Sequence, residues 1–151
     1  MEILGLAVVV LLLLIGAVFV VNLVGTKAPA DYRKGFVSSQ TASNMLSSFL
    51  KTVSDGCSQL TMTELLQDCA QSQSVMCDDS EYSCSFVNST ARHIFSQTLD
   101  KWKYKYEFLA YREGGPALIR LGESCKGEKI PKEFIVPLSS DSVHVRLDIC
   151  Q

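Results

Sequence analysis

Residues 3–24 form an apolar run with no charge and a single polar side chain, Asn22. As a helix, a run of that length crosses roughly 30 Å of hydrocarbon with its backbone hydrogen bonds satisfied internally, so residues 1–25 are predicted as a transmembrane anchor. Pro29 and Gly35 punctuate the next stretch, and residues 26–40 read as a stalk with a short extended piece at Phe36-Val37. The period then turns helical. Ala42, Met45, Leu46, Phe49, Leu50 and Val53 recur at three- and four-residue spacing, with polar residues between them and Gly56 as a stop, predicting an amphipathic helix over 41–54. Thr61-Met62-Thr63-Glu64 fits a capping box, with Leu60 and Leu65 as its hydrophobic staple, opening a helix over 62–70. A polar loop over 71–83 carries Asp78-Asp79-Ser80-Glu81. Cys84, Val87, Ala91, Ile94, Phe95 and Leu99 then keep helical spacing over 82–101.

Beyond that point the period falls to two. Trp102, Tyr104, Tyr106, Phe108 and Ala110 alternate with Lys101, Lys103, Lys105 and Glu107, which predicts a half-buried strand whose aromatics are core. Gly114-Gly115-Pro116 turns into a second strand, 117–121. A third covers 134–138, where Pro137 favours an edge or a bulge. Val143, Val145, Leu147 and Ile149 alternate with Ser142, His144, Arg146 and Asp148 in the last. Helices first and a meander of strands last imply an α+β fold: an N-terminal transmembrane helix, a helical segment, and a C-terminal antiparallel sheet of three to four strands with one face covered. The folded domain is expected over 41–151.

The 151 residues, less the anchor, suffice for one core. The net charge is −2, a near balance that disfavours nucleic acid, whose phosphates need a basic surface. Six cysteines, Cys57, Cys69, Cys77, Cys84, Cys125 and Cys150, suit three bridges in an oxidising compartment. Pairing sequence neighbours gives Cys57 with Cys69, Cys77 with Cys84 and Cys125 with Cys150. Lys27, Arg33 and Lys34 follow the apolar run and only Glu2 precedes it, so the positive-inside rule alone would hold the domain in the cytoplasm. The cysteine count outweighs three flanking bases partly offset by Asp31, and the domain is expected to be extracytoplasmic. Ala28-Pro29-Ala30 resembles a signal-peptide cleavage site, but the apolar run is longer than such a segment needs and no Lys or Arg precedes it. Asn88-Ser89-Thr90 is a candidate N-glycosylation sequon.

Chemistry-bearing motifs are sparse. The closest cysteines are too far apart in sequence for zinc pairs, and His93 and His144 lack ligand spacing. There is no G-x-S-x-G elbow, no C-x-x-C pair and no phosphate-cradling glycine loop. The acidic cluster at 78–81 lacks the alternating ligands of a calcium loop. No enzyme activity, cofactor or metal is expected.

Glu2, the run 3–24, the strands from Trp102 onward and Cys125 with Cys150 together resemble the type IV pilin and pseudopilin class, whose members anchor and assemble through their first helix. That pattern has a Glu five residues into the mature chain, whereas here Glu2 directly precedes the run. Leu60-Thr61-Met62-Thr63-Glu64-Leu65-Leu66-Gln67-Asp68-Cys69 and Val145-Arg146-Leu147-Asp148-Ile149-Cys150 are similar to segments of small archaeal single-pass envelope proteins. The resemblance implies a single-pass protein of the cell membrane, in the bilayer through residues 3–24, whose outer domain is a structural or protein-interaction module, with protein partners or copies of itself. The alternative is a membrane-tethered thiol-disulfide redox protein using one of the pairs between Cys57 and Cys84.

Overall fold

The computed structural model describes residue 5, residues 11–18, residue 20 and residues 30–150, the side chains of 30–34 and of residue 79 excepted. Two compact units divide the chain at Gly35/Phe36. In the first, residues 11–18 are helical and exposed. The predicted anchor over 3–24 falls mostly outside the described residues; among those that are described, no helix is long and apolar enough to cross a membrane.

Helix α1, Ala30–Lys51, starts eleven residues earlier than its periodicity suggested, so the predicted stalk is helical from Ala30 and Phe36-Val37 is not extended. Among its described side chains, α1 buries Ser38, Ala42, Leu46, Phe49 and Leu50 and leaves Phe36 and Val37 exposed. The burial stripe therefore marks the packed part of the helix, and an exposed helical turn leaves no such trace in the sequence. A tight loop follows, closed by Ser54 N–H to Leu60 C=O at 2.9 Å and Met62 N–H to Thr52 C=O at 2.9 Å. It enters α2, Met62–Gln71, whose capping box is complete: Thr61 Oγ1 accepts from Glu64 N–H, and the Glu64 carboxylate accepts from Thr61 N–H at 2.8 Å. Thr63 Oγ1 also donates to the Leu50 carbonyl at 2.9 Å, tying the start of α2 to the end of α1. Helix α3, Ser83–Phe95, runs on through a wider π-type turn, Ser96–Asp100.

The strands are β1 (Tyr106–Arg112), β2 (Ala117–Gly122), β3 (Lys129–Pro137) and β4 (Ser142–Cys150), all antiparallel. Their order is β2-β1-β4-β3, so the predicted meander is corrected. The chain leaves β2 at one edge and crosses the end of the sheet to β3 at the other, and β4 returns between β3 and β1. Burial explains the order. The most buried strands, β1 and β4, take the centre, while β3 carries Pro131 and Pro137, which cannot complete a central ladder.

The predicted strand over Trp102–Ala110 is also corrected: residues 101–105 form a turn, Trp102 is 56% exposed, and the strand begins at Tyr106. Lys103 holds φ at 59° there, a left-handed value that ends any extended run. Gly122 (φ 79°) ends β2 where a Cβ would collide with the Tyr106 carbonyl, a position only glycine fills.

Helices α1, α2 and α3 cover one face of the sheet. Helix α2 packs over β3 and β4, and α3 over β2. Phe49 of α1 meets Phe95 of α3 (ring centroids 5.8 Å) and Phe108 of β1 (5.6 Å), and Phe95 meets Phe108 at 5.1 Å. The three rings join both layers at the centre of the core.

Candidate functional site

All six cysteines are bridged, as Cys57–Cys77, Cys69–Cys84 and Cys125–Cys150. The last pair is as expected; the first two correct the neighbour pairing. Helix α2 is the reason. At about 1.5 Å per residue it carries Cys69 some 10 Å from its start, away from Cys57 and toward the first turn of α3. Asp68 secures that junction. Its carboxylate accepts from Ser83 Oγ (2.6 Å), Ser74 Oγ (2.7 Å) and the amides of Ser74 and Val75 (3.0 Å each). Burial works against the charged form, but the bonds from Ser83, Ser74 and Val75 outweigh it and bring the Asp68 pKa down to about 2.

The open face of the sheet carries the densest polar chemistry. Strand register sets out three cross-strand rows: Tyr111, His144 and Ile135; Leu109, Arg146 and Glu133; and Glu107, Asp148 and Pro131. Tyr111 stacks on His144 (centroids 5.3 Å, planes 17° apart) and donates its hydroxyl to Glu133 Oε1 at 2.8 Å. His144 Nδ1 lies 3.0 Å from the same oxygen, and its Nε2 lies 3.3 Å from Ser142 Oγ. The Tyr111 hydrogen bond holds the Glu133 carboxyl below its usual range, with His144 adding to the effect against partial burial. Reciprocally, the bond to Glu133 raises the Tyr111 phenol.

Serine, histidine and carboxylate thus stand in the order of a nucleophilic triad. Two contacts bear on whether the set could act as one. Glu133 Oε1 is shared with Tyr111, and the Ser142 amide, which as the serine's own N–H would be an oxyanion donor, is given to Asp141 Oδ1 at 2.7 Å. The set forms a polar ladder binding β1, β3 and β4.

In the third row Glu107 and Asp148 stand opposite one another, 4% and 0% exposed. Lys129 Nζ lies 3.0 Å from Asp148 Oδ2, Arg146 Nε 3.1 Å from Oδ1, and Arg120 3.3 Å from Glu107. Neither Asp148 oxygen has an aligned hydrogen bond, so Coulomb attraction holds them. Alternation already put His144, Arg146 and Asp148 on polar positions, whereas Glu133 lay outside the expected third strand, 134–138, which in the structure starts at Lys129. Which of them would meet depended on register, and β3–β4 register has no local signature.

The other sequence candidates lie apart from this face. Asn88 is half-buried midway along α3, its Oδ1 without a hydrogen-bond partner, and His93 is exposed one turn further on. Asp78 and Ser80 belong to a short 3-10 turn beside Cys77. Among the described residues, no group of three or more His, Cys, Asp or Glu is arranged to hold a metal ion. Compared with protein-family models, curated proteins and solved structures, the chain matches none of them.

Proposed function

We propose that this chain is a membrane-tethered interaction module of the cell envelope: residues 3–24 anchor it in the bilayer and the disulfide-bonded α+β unit acts outside the cytoplasm. The observation that carries this reading is the pairing of all six cysteines into three bridges within one compact unit, behind an uncharged apolar run. Bridged thiols favour an oxidising compartment over the weak positive-inside signal. The order of apolar segment, helices and antiparallel strands is also that of pilin-like subunits, and the resemblance to small archaeal envelope proteins points the same way. Copies of the chain, or neighbouring envelope proteins, are then its partners. The open sheet face is cross-linked by its own side chains and supports a rigid contact surface.

The test is fractionation of native membranes followed by intact mass with and without reduction. Salt-resistant membrane association with six oxidised thiols is expected, together with digestion of the domain by protease added to intact cells. Six free thiols, or a domain protected until the cells are opened, would overturn the extracytoplasmic placement. One pair reduced far more readily than the other two would replace this reading with the thiol-disulfide alternative.

A further inference from the structure

Charge is segregated along the folded unit in a way its core does not require. Residues 52–91 hold Asp55, Glu64, Asp68, Asp78, Asp79 and Glu81 and no Lys or Arg, whereas the turn joining α3 to β1 reads Lys101-Trp102-Lys103-Tyr104-Lys105. Helix α3 separates two exposed patches drawn from these segments. Tyr82 immediately precedes its first turn, and the lysine-rich turn follows the π-type turn that extends it, so the two patches lie about 25 Å apart along its axis.

At the first end, Cys77 N–H donates to Glu81 C=O (2.8 Å) and Ser83 N–H to Val75 C=O (3.1 Å), which sets Met76 and Tyr82 opposite one another as a close pair. They are 58% and 51% exposed. Asp78 lies in the turn between them. Asp55 comes beside it, since a Cβ on the adjoining Gly56 would lie 3.3 Å from Asp78 Oδ2 and Cys57 is bridged to Cys77. Both carboxylates are exposed. At the second end, Trp102 is 56% exposed beside exposed Lys101 and Lys103, in a turn fixed by Trp102 N–H to Thr98 C=O (3.0 Å) and Lys103 N–H to Asp100 C=O (2.9 Å). Among the described residues, no ion pair engages Asp55, Asp78, Glu81, Lys101 or Lys103. The helix dipole accounts for the signs, acids before the N-terminus and bases after the C-terminus. It does not account for exposed Met and Tyr within one set of charges and an exposed indole within the other. Met, Tyr and Trp are side chains enriched in protein contacts, and rims of opposite charge steer such contacts together.

We infer that the lysine-rich turn of one copy docks on the Met76–Tyr82 patch of the next, with the Trp102 indole against Met76 and Tyr82 and with Lys101 and Lys103 facing Asp55 and Asp78. Charge selects the occupant. An anionic lipid surface matches the turn and repels the patch, whereas a second copy matches both. Because the two patches differ and sit at opposite ends of α3, the contact is heterologous: it leaves one patch free at each end and propagates into a ring or an open row. The inference rests on the reading of the domain as a protein-interaction module, and names its surface and its partner.

The full-length chain in mild detergent is followed by sedimentation and by the emission of Trp102, the only tryptophan. With rising concentration, sizes beyond the dimer should appear and the emission should shift to the blue, and high salt should reverse both. Lys101→Glu with Lys103→Glu, and separately Asp55→Lys with Asp78→Lys, should each weaken association at least about tenfold, in variants checked to unfold at the parent midpoint. An equimolar mixture of the two variants should restore it, because every turn then meets a patch of opposite charge. A chain that stays monomeric or stops at the dimer would overturn the inference, as would a mixture that associates no better than either variant alone. A blue shift that requires anionic vesicles and ignores protein density would also overturn it and assign the turn to the bilayer. Membrane fractionation and thiol state report on the module reading separately: a monomeric chain that is membrane-bound with six oxidised thiols removes this contact and leaves that reading in place.

Discussion

Asp68 gathers four hydrogen bonds from Ser83, Ser74 and Val75, bringing them onto the end of α2 beside the Cys69–Cys84 bridge. Its folded pKa of about 2 lies below the roughly 3.9 of an unfolded aspartate. The stabilisation is therefore complete above about pH 5 and is lost as the pH falls through about 4 toward 2. Allowing for solvent screening of a partly exposed group, it amounts to about 1–2 kcal/mol. Asp68→Asn should lower the urea midpoint at neutral pH and flatten stability between about pH 4 and 2; an unchanged acid profile would contradict this account. Nothing in the sequence singled out Asp68, because Ser74, Val75 and Ser83 lie six to fifteen residues away across a loop and only Ser72, four residues on, is a near neighbour. Gly122 was equally silent. There, Gly122→Ala forces a side chain into the Tyr106 carbonyl at a positive φ and should cost at least about 2 kcal/mol in chemical denaturation.

At the scale of elements, local signals were legible and long-range ones were not. The capping box of α2 could be read from four adjacent residues, since both of its hydrogen bonds close within one turn. Thr61→Ala should destabilise by about 1 kcal/mol, measured as a drop in denaturation midpoint with little change in slope. The alternation from Trp102 to Ala110 misled for a physical reason. A turn rich in Lys and aromatics can mimic a strand's period of two, and the left-handed Lys103 that breaks it is a conformation few residue types announce. The early part of α1 was missed because Phe36 and Val37, exposed on the helix, add nothing to its buried stripe, and the open-face ladder because cross-strand partners are chosen by register.

Taken as a whole, the α+β unit is two layers with different kinds of fastening. Two bridges staple the helical layer, with sequence separations of 20 and 15, and one staples the sheet, with a separation of 25. In the chain-entropy account a closed loop of such length is worth about 3 kcal/mol, although the two interleaved bridges share part of that sum. On the open sheet face, Asp148 is fully buried between Lys129 and Arg146. Asp148→Ala should cost about 1–3 kcal/mol, because both cations reach partly into water and escape the full penalty of a stranded buried charge. A double-mutant cycle of Asp148 with Lys129 isolates that coupling.

Because Cys57–Cys77 and Cys69–Cys84 overlap, a single cut anywhere from residue 58 to residue 83 leaves the pieces on either side covalently joined. No bridge crosses residues 85–124. A trypsin-like cut at the lysine-rich turn therefore leaves two internally cross-linked fragments held together by noncovalent contacts: Phe49 and Phe95 against Phe108, the rest of the interlayer core, and hydrogen bonds such as Gln67 Nε2 to the Pro137 carbonyl and Arg112 Nη1 to the Ala70 carbonyl. Such a nicked protein should migrate as one species in native buffer, separate into two in denaturant without any reducing agent, and re-form from its halves when the denaturant is removed.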